Sequence, residues 1–198
     1  MSCTTHLCVI DSQGSMVSLT QTLLSIFGSK LVLPQTGILM NNGLMWFNPE
    51  PGHPNSLAPD KHCLANTCPV IGLNDSGGMA LGASGGRRIM PAVLQLLYLL
   101  IDGEMSLEEA FHQPRIDHSG GDQVVVDRRL QKEVLQKIEE KFSCITAENG
   151  AFPLYFACPS AVLKNGSQHF GSTAITHPWA GAVSVSYTHL TLPTMMSV

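Results

Sequence analysis

The chain has 198 residues, 44% of them hydrophobic and 13% charged, with a formal net charge of −4. That is enough apolar material for one sizeable core and one globular unit, and no basic stripe or aromatic RNA-binding motif points to nucleic acid. The longest apolar stretch, from Ile89 to Ile101, contains Pro91 and Gln95 and is too short to span a bilayer.

In chain order, Thr5 to Asp11 is β-rich, and Met16 to Leu23 alternates Val17, Leu19 and Gln21 with small hydroxyl residues. Ser12-Gln13-Gly14-Ser15 between them has the composition of a hairpin turn. The stretch from Gly43 to Pro69 carries Pro49, Pro51, Pro54 and Pro59, which excludes regular helix and predicts a long ordered loop, a kind of loop that is usually functional. Cys68 to Leu73 and Met79 to Ala83 read as a second strand pair around Asn74-Asp75-Ser76-Gly77-Gly78. A helix from about Arg87 to Ile101 places Val93, Leu96, Leu97 and Leu100 at helical spacing, with Pro91 in its first turn and Gly103 in the C′ role. Ser106 with Glu109 three residues on forms a capping box opening a short helix to His112. Val124 to Val126 reads as a strand, Arg129 to Phe142 as an amphipathic helix, and Leu154 to Leu163 as a strand interrupted by Pro159. Strands, two helices and further strands with hairpin turns indicate an α+β fold.

Two features carry chemistry. A threonine hydroxyl is a poor nucleophile at neutral pH unless a base stands beside it. Thr4, if cutting of the Cys3–Thr4 bond makes it N-terminal, has its own α-amine, whose unperturbed pKa is about 7.7–8.0. Downstream, Gly82-Ala83-Ser84-Gly85-Gly86 opens the apolar helix, and side-chain-free N–H groups at a helix start can approach an oxyanion. Composition alone leaves other readings open: Thr4 and Thr5 also serve as ordinary strand residues, and Gly85-Gly86 also serves as a turn admitting a helix. His6, His53, His62, His112 and His118 do not repeat at metal-ligand spacing, and the six cysteines lack CxxC pairs. Neither metal nor organic cofactor is expected. Reduced, structural cysteines favour a cytoplasmic setting, although an export signal would lie upstream of Met1.

Taken together, the residues resemble the small subunit of the gamma-glutamyltranspeptidase family, within the N-terminal-nucleophile hydrolases. The likeness runs from Thr4 to about Val183. It rests on Thr4-Thr5-His6 with Val9-Ile10-Asp11, Val17-Ser18-Leu19-Thr20-Gln21-Thr22, Phe27-Gly28-Ser29, Gly37 to Asn42, Gly82 to Gly86, and Ala110-Phe111-His112-Gln113-Pro114-Arg115. The resemblance implies a four-layer αββα sandwich built from two chains cut from one precursor, so this chain would be incomplete without its large subunit. It implies that Thr4 is the nucleophile in self-cleavage and in amide attack. Thr22 would support that nucleophile, and Gly85 and Gly86 would form the oxyanion hole. The acyl group would pass from Thr4 to water or an amine acceptor. Residues 1–3 would be a precursor remnant and 4–183 the small-subunit domain.

The departures bear on substrate. Where family members that handle γ-glutamyl groups carry Asn, Gln, Asp and a Ser-Ser pair, this chain has Leu24, Gly43, Trp46 and Ala65-Asn66. Gly43, Trp46 and Asn66 hold pocket positions without the family's residues, so an α-ammonium would lack its acidic partner. The run Asn42-Gly43-Leu44-Met45-Trp46-Phe47 looks more like amidohydrolase relatives. Trp46 and Phe47 serve equally as pocket lining or loop anchor, and Asp11 and Arg115 as structural ion-pair members. The run Ser184 to Val198 looks like a translated sequencing adapter and is expected to be non-native. The leading reading is therefore an autoprocessed threonine amidohydrolase or acyltransferase. A true glutathione-degrading transpeptidase with an altered grip, and a non-catalytic homologue, are the alternatives.

Overall fold

The computed structural model describes residues 3–151, 155–174 and 177–183. The expected non-native tail, the first two residues of the precursor remnant, and Leu154 of the last predicted strand lie outside the described residues. Strands β1 (Cys3–Ile10) and β2 (Met16–Leu24) form an antiparallel hairpin. Its turn closes through Gly14 N–H to the Asp11 carbonyl at 3.1 Å, with Gly14 at φ 90°. The proline-rich stretch contains a single 3₁₀ turn, Gly43–Trp46, and otherwise no regular element before β3 (Val70–Asn74).

β3 pairs with β4 (Gly77–Ser84), which continues through the 3₁₀ turn Gly86–Arg88 into α1 (Ile89–Ile101). After α2 (Leu107–His112) come β5 (Ile116–Asp117), β6 (Gln123–Asp127), α3 (Lys132–Glu139), β7 (Ser143–Ala147), β8 (Cys158–Asn165) and β9 (Gln168–Thr173). The main sheet has the order β3-β4-β8-β9 and is antiparallel throughout. A smaller sheet, β5-β6-β7, joins β6 to β7 in parallel through α3.

Helices α1 and α2 cover one face of the main sheet, burying Leu81 and Ala83 of β4 against Ile89, Val93, Leu96 and Phe111. The β1–β2 hairpin covers the other face, packing on β4 and β8. With cover on both sides, Gly78 to Ala83 are all buried, as a central strand requires. The described residues thus stack as helix, sheet and hairpin, an α+β arrangement. Gln95, polar within an apolar helix, gives its amide N–H to the Ile116 carbonyl at 2.8 Å and accepts the Ile116 N–H at 2.9 Å, tying α1 to β5.

Several expectations change. The amphipathic helix is shorter than 129–142, because the Asp127 carboxylate captures Arg129 through its backbone N–H at 2.9 Å and its guanidinium at 2.6 Å before the helix begins. Gly103 follows α1 as expected, but the left-handed residue is Glu104, at φ 51°. Gly103 is needed for space, since a Cβ there would lie 2.7 Å from the Leu99 carbonyl oxygen. Pro159 does not interrupt its strand; it is the second residue of β8, opposite Ala83. Asp11 and Arg115 form no ion pair among the described residues. Asp11 instead accepts the Ser15 N–H at 2.8 Å, and Arg115 is buried with Nε and Nη1 unpartnered while Arg129 occupies Asp127.

Candidate functional site

Strand alternation puts Thr4, His6, Cys8 and Ile10 on the inner face of the hairpin, opposite Thr22, Thr20, Ser18 and Met16. This polar stripe lies directly on β4. A Cβ at Gly78 would fall 2.5 Å from the Met16 methyl, the Ser18 hydroxyl donates to the Leu81 carbonyl at 2.9 Å, and the His6 ring rests on Gly82. From Met16 to Thr22 the hairpin therefore advances along β4 from Gly78 towards Ser84. Thr4 and Ser84 line one cavity of about 380 Å³, walled also by Cys8, Cys158, Ser160, His177 and Trp179. Gly85 and Gly86 follow Ser84 directly but do not themselves line it.

Hydrogen bonding at Thr4 has a definite direction. Thr22 Oγ1 donates to the Cys3 carbonyl at 2.9 Å and accepts the Leu24 N–H at 2.8 Å. The third contact of Thr22 Oγ1 is Thr4 Oγ1, at 2.9 Å. A carbonyl only accepts, so the single Thr22 proton is committed to Cys3 and Thr4 is the donor between the two hydroxyls. The carbonyl so polarised belongs to the peptide bond that joins Cys3 to Thr4. A bulge between the pairs Cys3–Leu24 and Thr4–Thr22 leaves Leu23 extra, and Leu24 is forced to φ 69°. Such a conformation costs a non-glycine residue about 1–3 kcal/mol; here it lets one hydroxyl reach both groups.

At the other end of the cavity, β4 leaves the sheet through two left-handed glycines. Gly85, at φ 144°, has Ala157 so close that a Cβ would lie 2.8 Å from its Cα, while Gly86, at φ 64°, faces open space. Side-chain-free backbone then leads into the 3₁₀ turn and α1.

Leu24 belongs to the array through its N–H on Thr22, whereas Gly43, Trp46 and Asn66 lie outside the cavity. The Asn42 N–H bonds the Leu23 carbonyl at 3.2 Å and its side chain bonds Ser25 at 2.8 and 3.0 Å, pinning the Gly43–Trp46 turn to the end of β2 just past Thr22. Trp46 is half-buried, its carbonyl accepting the Asn55 amide N–H at 2.7 Å. Asn66 precedes Thr67, whose carbonyl accepts the Thr20 hydroxyl at 3.1 Å. None of Gly43, Trp46 and Asn66 lines the Thr4–Ser84 cavity.

The residues that sequence reasoning passed over are His6, Cys8, Ser84 and Cys158. His6 and Cys8 were legible as positions two and four after Thr4, on the same strand face. Burial lowers the His6 pKa, so the ring is neutral near pH 7. Thr20 spends its proton on Thr67, so His6 Nδ1–H donates to Thr20 Oγ1 at 2.8 Å, and the Cys8 thiol shares its one proton between Nε2 at 3.0 Å and the Ser160 carbonyl at 3.6 Å. Burial pushes the Cys8 thiol up to about 11, against hydrogen bonds with Ser18 and Ser160, so it is no thiolate nucleophile. Burial also raises Cys158, against the nearby Arg115 charge. Among the described residues no group of three or more His, Cys, Asp or Glu is placed to hold a metal ion, and no helix is long and apolar enough to cross a membrane.

Residues 1–152 match the family model described as gamma-glutamyltranspeptidase. The chain is 41% identical over 119 residues to the acylase ACY 1 proenzyme of Pseudomonas sp. strain SE83, covering 60% of this chain and 21% of that protein. It is 33% identical over 150 residues to the glutathione hydrolase proenzyme of Escherichia coli K12, covering 70% of this chain and 26% of that one. Among solved structures it resembles gamma-glutamyltranspeptidase from Pseudomonas nitroreducens complexed with L-DON, with a TM-score of 0.74 and 25% identity. That match covers 91% of this chain and all of the other. The chain thus spans about a fifth to a quarter of the length of these two curated relatives.

Proposed function

Because this chain belongs to the gamma-glutamyltranspeptidase family, we propose that it is the nucleophile-bearing part of an autoprocessed threonine amidohydrolase or acyltransferase. The observation that carries the reading is the Thr4–Thr22–Cys3 array, with a hydroxyl, its acceptor and the scissile carbonyl joined by two 2.9 Å contacts.

In the first reaction Thr4 Oγ1 attacks the Cys3 carbonyl carbon, passing its proton towards Thr22, while the Thr22 hydroxyl stabilises the oxygen that becomes negative. The C–N bond breaks, the Thr4 nitrogen takes the proton relayed through Thr22 and leaves as an amine, and an ester joins Cys3 to Thr4 Oγ1. Water then hydrolyses that ester. Thr4 is left with a free hydroxyl and a free α-amine. In turnover the amine takes the hydroxyl proton, Oγ1 attacks an amide carbonyl, and the N–H groups of Gly85 and Gly86 stabilise the oxyanion. The leaving amine departs with the proton, and water or an amine acceptor releases the acyl group.

A large subunit from the same precursor is the proposed partner. The outer face of the hairpin exposes Leu7, Val9, Val17 and Leu19 at 43–51%, an apolar surface that a fourth, helical layer would cover to complete an αββα sandwich. With Leu24, Gly43, Trp46 and Asn66 standing where relatives that handle γ-glutamyl groups carry Asn, Gln, Asp and Ser, the acyl group is one that does not depend on an acidic partner for an α-ammonium. A second reading, a glutathione hydrolase with an altered grip, is favoured by the likeness to the E. coli proenzyme.

The test is intact-mass analysis of the full-length protein containing this chain. Two chains are expected, one beginning at Thr4, and Thr4→Ala should leave one uncut chain with no amidase activity. A single uncut chain in the parent protein would favour a non-catalytic homologue and overturn the proposal. Faster release from γ-glutamyl-4-nitroanilide than from glutaryl-4-nitroanilide, which lacks the α-ammonium, would favour the second reading.

A further inference from the structure

His6 takes no part in the chemistry proposed above, yet it sits where the nucleophile strand rests directly on the strand that leads to the oxyanion glycines. Its ring lies on Gly82 so closely that any Cβ there would overlap it. The ring cannot turn away freely. Thr20, itself anchored to Thr67, holds Nδ1 at 2.8 Å, and Cys8 holds Nε2 at 3.0 Å. Thr4 lies two residues before His6 on β1, and Ser84 two residues after Gly82 on β4. Two strand residues span roughly 6.6–6.8 Å, so any change in the gap at His6 and Gly82 is transmitted to Thr4 and to the start of Gly85-Gly86.

We propose that His6 is a positioning residue whose imidazole, clamped flat on the bare Cα of Gly82, sets the separation between the Thr4 hydroxyl and the Gly85-Gly86 backbone donors. This rests on the acyl-transfer reading of Thr4. The ring supplies a thickness, and its two hydrogen bonds fix the orientation in which that thickness is presented. A glycine is required beneath it because even one methyl group would lift the hairpin off β4. Displacing reacting groups by about 1 Å can cost roughly 10²-fold in rate, so the gap is a kinetic quantity as much as a structural one.

The experiment uses the full-length protein and 4-nitrophenyl acetate, an activated ester small enough to need no acyl-group pocket. Thr4 Oγ1 attacks the acetyl carbonyl, its proton goes to the α-amine, and 4-nitrophenolate leaves as acetyl-Thr4 forms. The Thr4-dependent burst is the difference from Thr4→Ala. Gly82→Ala should lower the burst rate constant about 100-fold with the half-saturating ester concentration nearly unchanged. His6→Ala should lower it about tenfold. In the double variant the new methyl group enters the space the ring has left, so its burst should match His6→Ala alone rather than the roughly 1,000-fold loss of independent effects.

His6→Phe, which keeps the ring thickness, should stay within about tenfold of the parent and faster than His6→Ala, and it serves if Gly82→Ala fails to fold. A parent-like burst in His6→Ala would overturn the positioning role. Multiplicative losses in the double variant, or losses seen only in half-saturation, would overturn it as well. A protein without any Thr4-dependent burst would sink the acyl-transfer reading, and this role with it.

Discussion

Thr22→Val tests the hydrogen-bonded array most directly. The substitution keeps the β-branched shape and removes a hydroxyl that donates to Cys3 O at 2.9 Å, accepts Leu24 N–H at 2.8 Å and contacts Thr4 Oγ1 at 2.9 Å. Losing one oxyanion-type donor costs about 2.7–4 kcal/mol, or roughly 10²–10³ in rate. Thr22 is only half-buried, so water compensates in part and the lower end, about 10², is expected for Cys3–Thr4 cleavage. Leaving the Leu24 N–H without its acceptor should cost about 1 kcal/mol of stability, small enough for the variant to fold. Thr22→Ser restores the hydroxyl on a freer side chain and should cleave within about tenfold of the parent. The assay is a time course of the two product masses after synthesis of the full-length protein, with Tm measured on the same samples. Cleavage of Thr22→Val at the parental rate would refute the assignment, since the Cys3 carbonyl would then need nothing from Thr22.

Four further outcomes are expected, each read on the full-length protein. Gly85→Ala forces a Cβ to 2.8 Å from the Ala157 Cα and should lower stability by about 1–3 kcal/mol, whereas Gly86→Ala meets open space and should cost about 1 kcal/mol; thermal unfolding of the two variants orders them. Ser106→Ala removes the observed capping box with Glu109 and should cost about 1 kcal/mol in denaturant unfolding. Burial opposes the Asp127 carboxylate, but hydrogen bonds and charge from Arg129, with the charge of Arg115, hold it below the usual carboxylate range. A depressed folded pKa means stability fully present above the unfolded value of about 3.9 and lost as pH falls through the folded one; Asp127→Asn should flatten that acid limb in unfolding curves taken from pH 6 down to about pH 2. With its pKa near 11, the Cys8 thiol should react with iodoacetamide at pH 8 far more slowly than exposed Cys3, as peptide mass mapping would register.

Local signals were legible where turn composition, capping pattern or helical spacing marked them. The first hairpin, the Ser106 capping box and the α1 periodicity each depend on residues within a few positions of one another, and each formed as expected. Signals that depend on a pairing partner or a competing side chain were not legible. β5, β7 and β9 exist because β6 and β8 stand beside them, and Arg129 left the predicted helix because Asp127, two residues before it, offered its buried carboxylate. Pro159 looked like a strand breaker and is accommodated as the second residue of β8.

The candidate site divides along the same line. Residue type and order made Thr4, Gly85 and Gly86 candidates beside an ordinary strand and turn, and the resemblance to the family is what singled them out together with Thr22. Which proton goes where could not be read that way. That Thr22 donates to Cys3, that the His6 ring is clamped over Gly82, and that Arg115 has no ion-pair partner among the described residues all depend on how separate elements pack together. Hydrogen-bond direction, desolvation and steric gaps are properties of such contacts. Residue order and strand period settle which groups are present and on which face each lies; packing settles which of them touch, because a period-2 strand fixes the face of a side chain but says nothing about what lies against that face.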